Sequence, residues 1–284
     1  MRTILAHLEI SPSLDSVLEC ARLVAERFGG YIEGYHMRPG QPDLIAAGAD
    51  GFVAAAPDLV AGFEREARER AEQARQRFEA FRERHGLPRP AEAAPGTACA
   101  DWRVETATGQ GAIGSYGRVF DLIVVGRPLA DQVTPSMAAL EAALFESGRP
   151  LLVAPPAPPA RLGERVVVAW NGSTETARTV AFAMPFLTAA ASVVVLQVED
   201  GMVPGPEAEA LAASLRRHDM TVEVRHARRG GRGTGEAILA ETAALGGDLL
   251  IKGAYTQSRF RQMIFGGATS HILAHAGLPV LMAN

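Results

Sequence analysis

Short apolar runs recur along this chain, each followed by a longer stretch whose apolar residues fall three and four apart. Runs such as LIVV (Leu122–Val125), VVVAW (Val166–Trp170) and SVVVL (Ser192–Leu196) show little polar alternation. That pattern suits strands of a parallel sheet covered on both faces. It predicts strands near Thr3–Leu8, Tyr31–His36, Trp102–Glu105, Leu122–Val125 and Leu151–Val153. In the second half it predicts Val166–Trp170, Ser192–Val198, Thr221–Arg225, Leu249–Lys252 and Val280–Met282. With four helical stretches per half, the fold class is α/β: two doubly wound, open, parallel five-stranded sheets of Rossmann-like type, in tandem. The stretch Pro57–Gly86 has helical spacing and a face laced with Glu and Arg. The segment before it, from Arg38 into the 39–60 region, reads as a loop or flap insertion without a legible function.

Val180–Val198 is long enough to span a bilayer, but Pro185, Thr188, Ser192 and Gln197 interrupt it. Its character also changes midway from Ala/Phe/Leu-rich to β-branched, which predicts a buried helix running into a buried strand.

The chain repeats itself. DLIVVGRPLA…SGRPLLVAPP (Asp121–Pro156) matches DLLIKGAYTQ…AGLPVLMAN (Asp248–Asn284), and the segments opening at Arg2 and Arg165 also correspond. Repetition on this scale means duplication of a whole domain, not a short solenoid. The domains are 1–156 and 164–284, joined by the Pro-rich spacer Pro155–Glu164.

Composition narrows the function classes. The 284 residues carry 28 Lys+Arg against 32 Asp+Glu, a net charge of −4. No broad positive field for nucleic acid follows from that balance, and no membrane partner is expected. Two cysteines, Cys20 and Cys99, are too few for a disulfide scaffold or a Cys-rich zinc site. The opening MRTILAHLEISPS has neither a long apolar region nor a cleavage pattern, so the expected location is cytoplasmic.

Ligands of open α/β sheets bind beyond the carboxyl ends of the strands. The candidates in the second half are therefore Trp170-Asn171-Gly172-Ser173, Val198-Glu199-Asp200, Arg228–Gly235 and the loop Gly253–Thr269. In the last, Gly253 ends a strand and Gly266-Gly267 precede a helix beginning near Ala268. Glycines let backbone approach a ligand, and a helix start offers free N–H groups to an anion. Thr269 and Ser270 add hydroxyls, while Lys252, Arg259 and Arg261 add charge. This is the pattern of a phosphate cradle; a tight turn with solvated basic residues would use the same residue types. Asn171-Gly172-Ser173 likewise satisfies a turn and a helix cap by itself.

The duplication, strand pattern and loop together resemble a tandem universal stress protein, across essentially the whole chain and best in the second half. Nucleotide-binding members carry G-x2-G-x9-G-[ST] after the fourth strand. Here those positions hold Gly253, Thr256, Gly266 and Gly267, so Thr256 and Gly267 depart from the motif, and Thr269 is placed to supply the hydroxyl. The resemblance implies ATP or a related adenine nucleotide, with or without Mg²⁺, held by backbone N–H groups of this loop as a regulatory ligand. It places an acidic residue where Asn171 stands; a neutral Asn weakens the case for metal–phosphate coordination. It also places main-chain contacts to adenine around Val198. The family pairs domains along the fifth strand, which LLVAP and VLMAN would satisfy within one chain; homodimerisation and protein partners stay open. No catalytic residue is evident, leaving slow ATP hydrolysis at most. Two alternatives stand beside this: a nucleotide-independent interaction module, and an enzyme or binder for a small anionic metabolite.

In the first half, the loop after Gly126 has no glycines at the family spacing and reads as degenerate, with Thr134-Pro135 as a helix start. His7 and Glu9 end its first strand and read as structural. Gly109–Gly114 matches G-x-G-x-x-G, but it follows the third strand and lacks the acidic partner of a dinucleotide site. Arg228–Gly235 reads as a solvated basic loop. His271 and His275 read as a partly exposed helix face, not metal ligands, and no metal site is expected.

Overall fold

The computed structural model describes residues 1–39, 57–107, 111–129, 132–254 and 267–284. The first half contains β1 (Thr3–His7), α1 (Leu14–Phe28), β2 (Tyr31–Pro39), α2 (Pro57–Arg84), β3 (Cys99–Ala107), α3 (Gly111–Gly117), β4 (Leu122–Gly126), α4 (Met137–Glu146) and β5 (Leu151–Ala154). The second contains β6 (Arg165–Trp170), α5 (Thr174–Ala189), β7 (Ser192–Val198), α6 (Ala208–Arg216), β8 (Val222–Ala227), α7 (Thr234–Ala244), β9 (Leu249–Gly253), α8 (Gly267–His275) and β10 (Val280–Ala283). Most of the 39–60 insertion lies outside the described residues.

All ten predicted strands form. β3 is longer than its apolar centre because it pairs with β2 over its full length, from Tyr31↔Cys99 to Pro39↔Ala107. α4 starts at Met137, later than Thr134-Pro135 suggested. Its N-cap is Ser136, whose hydroxyl accepts from the Ala139 N–H, and Thr134-Pro135 is a cis peptide. Val180–Val198 divides into the second part of α5 and all of β7. No described helix is long and apolar enough to cross a membrane.

The strand order is β3-β2-β1-β4-β5-β10-β9-β6-β7-β8. Each half is thus a parallel five-stranded sheet, and the two are fused into one ten-stranded sheet. The seam is the antiparallel pair β5–β10, with Val280 opposite Val153, Leu281 opposite Leu152 and Met282 opposite Leu151. Both strands are buried throughout. An apolar edge strand left unpaired exposes a row of backbone donors and acceptors, and this pairing removes both edges at once.

Strand residues alternate strictly between two cores. Ile4, Val124, Leu152, Val168, Ile251 and Leu281 face α1, α2, α5 and α6. Leu5, Val125, Val153, Val167, Leu250 and Met282 face α3, α4, α7 and α8. Both cores run across the seam. Two first-half arginines also cross it to cap second-half helices: Arg27 donates to the Ala189 carbonyl ending α5, and Arg127 to the Leu273 (3.1 Å) and Ala274 carbonyls ending α8.

The repeated aspartates have one job in both halves. Asp121 accepts from the N–H groups of Arg2 (2.6 Å) and Thr3 (3.1 Å). Asp248 accepts from those of Gly163 (2.9 Å), Glu164 (3.1 Å) and Arg165 (3.1 Å). Each ties the start of the fourth strand of its half to the start of the first. Burial pushes the Asp121 carboxyl up, but its N–H donors and the chain's own ammonium outweigh that and hold it below the usual range. At Asp248 burial prevails and the carboxyl is raised.

Candidate functional site

β6 and β9 pair only at Val166–Val168 against Leu249–Ile251. Both strands continue beyond, and there the strand order reverses. A cavity of about 320 Å³ opens at this point, at the low end of the ~300–1,000 Å³ typical of small-molecule sites. Ala169, Leu196, Val198 and Ile238 form its apolar lining, and Thr176, Gly201 and Thr234 border it. Its polar and charged residues include Asn171, Asp200, Lys252 and Thr269, with Gly267 and Ala268 at the start of α8.

Lys252 is the central charge. Its Nζ donates to the Gly253 carbonyl and the Thr269 Oγ1, each at 2.8 Å. An ammonium has three protons, so one remains for a ligand. Among the described residues no carboxylate pairs with it, and burial pushes the ammonium down to about 8. Asp200 is a different case: its Oδ2 is held by Arg229 at 2.9 Å.

Asn171 has a divided role. Its Oδ1 accepts from the Ser173 N–H (3.2 Å) and the Thr176 hydroxyl (2.6 Å), closing the turn into α5. A backbone N–H demands an acceptor, so this fixes the amide with oxygen inward. No hydrogen bond from the Nδ2 group is found among the described residues, and Asn171 lines the cavity.

The sequence candidates separate accordingly. Trp170, Asn171, Val198, Lys252, Gly267, Ala268 and Thr269 line the cavity. Three others sit nearby in structural roles. Gly172, at φ +79°, makes the turn beneath the Val203 carbonyl. Ser173 caps α5, accepting from the Thr176 N–H at 3.2 Å. Gly253 packs so closely that a Cβ there would lie 2.4 Å from the Thr176 nitrogen. Thr256 and Gly266 lie outside the described residues. Trp170 anchors through its indole N–H, donated to the Pro206 carbonyl at 2.8 Å.

Thr176, Leu196 and Ile238 were not among the sequence candidates. Two signals were available: Leu196 shares a strand face with Val198, and Ile238 lies one helical turn beyond Thr234. Asp200 and Thr234 did fall within the post-strand loops but carried no specific role. The basic loop borders the cavity through the Arg229–Asp200 pair. His271 and His275 stack at 4.2 Å on α8, and no described cluster of His, Cys, Asp or Glu could hold a metal ion.

The first half differs at the corresponding place. A Cβ on Gly126 would meet the Pro135 ring at 2.6 Å. The Thr134 hydroxyl donates to the Ile10 carbonyl at 2.9 Å, and the Ser136 N–H to Glu9 at 2.9 Å. The chain thus folds back over the ends of β1 and β4. His7 lies buried behind it, 3.6 Å from Glu9, and burial lowers its pKa despite that carboxylate.

Residues 163–284 match the family model of the universal stress protein family. The second half of the chain is therefore a universal stress protein domain. The fold of both halves fits the tandem form. Solved structures agree in fold. A universal stress protein from Archaeoglobus fulgidus superposes with a TM-score of 0.67 at 14% identity, covering 99% of this chain and 96% of that one. A Pseudomonas aeruginosa structure assigned to the same family gives 0.54 at 13% identity, covering 100% and 93%. A functionally unknown protein from Pseudomonas aeruginosa gives 0.53 at 13%, covering 100% and 92%. A comparison with curated proteins gives no match.

Proposed function

We propose that this is a cytoplasmic stress-response protein whose C-terminal cavity binds ATP or a related adenine nucleotide as a regulatory ligand. One observation carries the reading. The cavity at the β6–β9 switch joins an apolar slot to a buried ammonium, Lys252, that has no carboxylate partner among the described residues. The base fits between Ala169, Leu196, Val198 and Ile238, with main-chain groups around Val198 as its polar contacts. The phosphates fit toward Lys252, Thr269 and the start of α8, where free N–H groups and the helix dipole favour an anion. A bound nucleotide would change the surface presented to a protein partner.

Isothermal titration of the full chain with ATP tests this. Binding in the micromolar range is expected, with Lys252→Met weakening it about tenfold or more by removing a charge-assisted hydrogen bond. Undiminished affinity in that variant excludes the proposed phosphate position. No binding at millimolar ATP favours the nucleotide-independent interaction module. The filled crevice of the first half and the neutral Asn171 are the observations on that side. A non-nucleotide metabolite released on denaturing the purified protein favours the third reading, an anionic-metabolite binder or enzyme.

A further inference from the structure

The polar groups that face the cavity decide whether phosphates arrive with a metal ion. Mg²⁺ asks for oxygen ligands, usually one or two carboxylates with phosphate and water completing an octahedron. At the end of β6 the cavity offers the opposite. The Asn171 Oδ1 is consumed by the Ser173 N–H and the Thr176 hydroxyl. Asn171 lines the cavity, and with Oδ1 engaged the group it has left to offer is its Nδ2, a donor. Lys252 is a donor and a cation, and the first N–H groups of α8 are donors. Asp200 is the one carboxylate among the described lining residues; it is largely exposed and its Oδ2 is paired with Arg229 at 2.9 Å. These residues do not fit a phosphate-bound Mg²⁺.

We infer that this cavity is a donor-rich anion site that takes the phosphates of its ligand metal-free, so that Mg²⁺ competes with the protein for the nucleotide instead of bridging them. The inference rests on the nucleotide reading above and refines it. Free ATP carries two more negative charges than its magnesium complex and leaves every phosphate oxygen able to accept. Lys252, Asn171 Nδ2 and the α8 amides all gain from that. Position 171 sets the preference because a carboxylate there would keep the turn into α5, still accepting from Ser173 and Thr176, while giving the cavity an oxygen ligand.

The experiment is calorimetric titration of the full chain with ATP, in EDTA and in excess MgCl₂. The native chain is expected to bind about tenfold more tightly in EDTA, the scale of one strong charge interaction in a partly buried site. In Asn171→Asp the order should invert, with binding weakened in EDTA and restored by Mg²⁺; its circular dichroism should match the native chain. Equal or tighter binding by the native chain in Mg²⁺ overturns the inference and leaves nucleotide binding standing. An Asn171→Asp variant with the native magnesium response overturns the assignment to Asn171. No binding of ATP in either buffer overturns both this inference and the nucleotide reading.

Discussion

Lys252 shows how one residue sets stability against binding. Burial lowers its pKa from the ordinary 10.5 to about 8. Between those values the unfolded chain keeps a proton that the folded chain has lost, so stability rises with pH across that window. Below pH 8 both states are protonated and the cost of burying the ammonium is at its full size. Lys252→Met should therefore stabilise the ligand-free protein near pH 7 by up to about 3 kcal/mol, the equivalent of the shift. Urea denaturation at pH 7 and pH 10.5 checks it: the gain should fade at the higher pH. The same titration acts on the ligand. ATP affinity should fall as pH rises from 7 to 9, since the ammonium facing the phosphates is lost, and the Met variant should show a flatter profile. Asp248 acts through structure alone. Its three backbone donors lose their only described carboxylate in Asp248→Ala, and about 2–4 kcal/mol of stability should go with it, read from the same denaturation curves.

At the scale of elements, α8 carries the site at one end and a cross-half contact at the other. Thr269 in its first turn accepts from Lys252, while Arg127 of the first half caps its last carbonyls. A cation at a helix C-terminus satisfies orphan carbonyls and complements the dipole. Arg127→Met should leave the sheet intact and loosen α8, with faster amide exchange across 267–276 and a stability loss of about 1–2 kcal/mol. Amide-exchange mass spectrometry reads both ends of the helix in one experiment. Unchanged exchange there would show that packing of Ile272 and Leu273, both buried, holds α8 without the cap.

The whole molecule is governed by its seam. Leu152 and Leu281 face each other across β5–β10, fully buried in a core that includes residues of both halves. Leu281→Ala should cost about 2–5 kcal/mol, as large-to-small changes in packed cores do. Because the core is continuous, the loss should lower the midpoint of a single unfolding transition for the entire chain. Two separated transitions in calorimetry would show instead that each half is its own cooperative unit. The two halves are unequal in what they offer. The first folds Thr134–Ser136 over its strand ends; the second leaves a cavity there.

The sequence by itself determined the strands, the helices between them and the duplication. These are local or repetitive signals: continuous β-branched runs, helical spacing, and Asp and Pro residues recurring at matched places. It also pointed to the strand ends where a ligand would meet the chain, because chain order and strand type already fix where those ends lie in a doubly wound sheet. Tertiary structure decided the rest. Whether Gly253, Gly172 and Ser173 face a ligand or a neighbouring backbone depends on distances between segments far apart in sequence. The amide of Asn171 is oriented by Thr176, a turn along α5, and Asp200 is paired with Arg229 from another loop. Nothing in the residue types records either contact. The fusion of two sheets through β5 and β10, and the arginines crossing that seam, likewise arise only when both halves are in place, since pairing and capping are properties of the folded chain and not of any stretch of it.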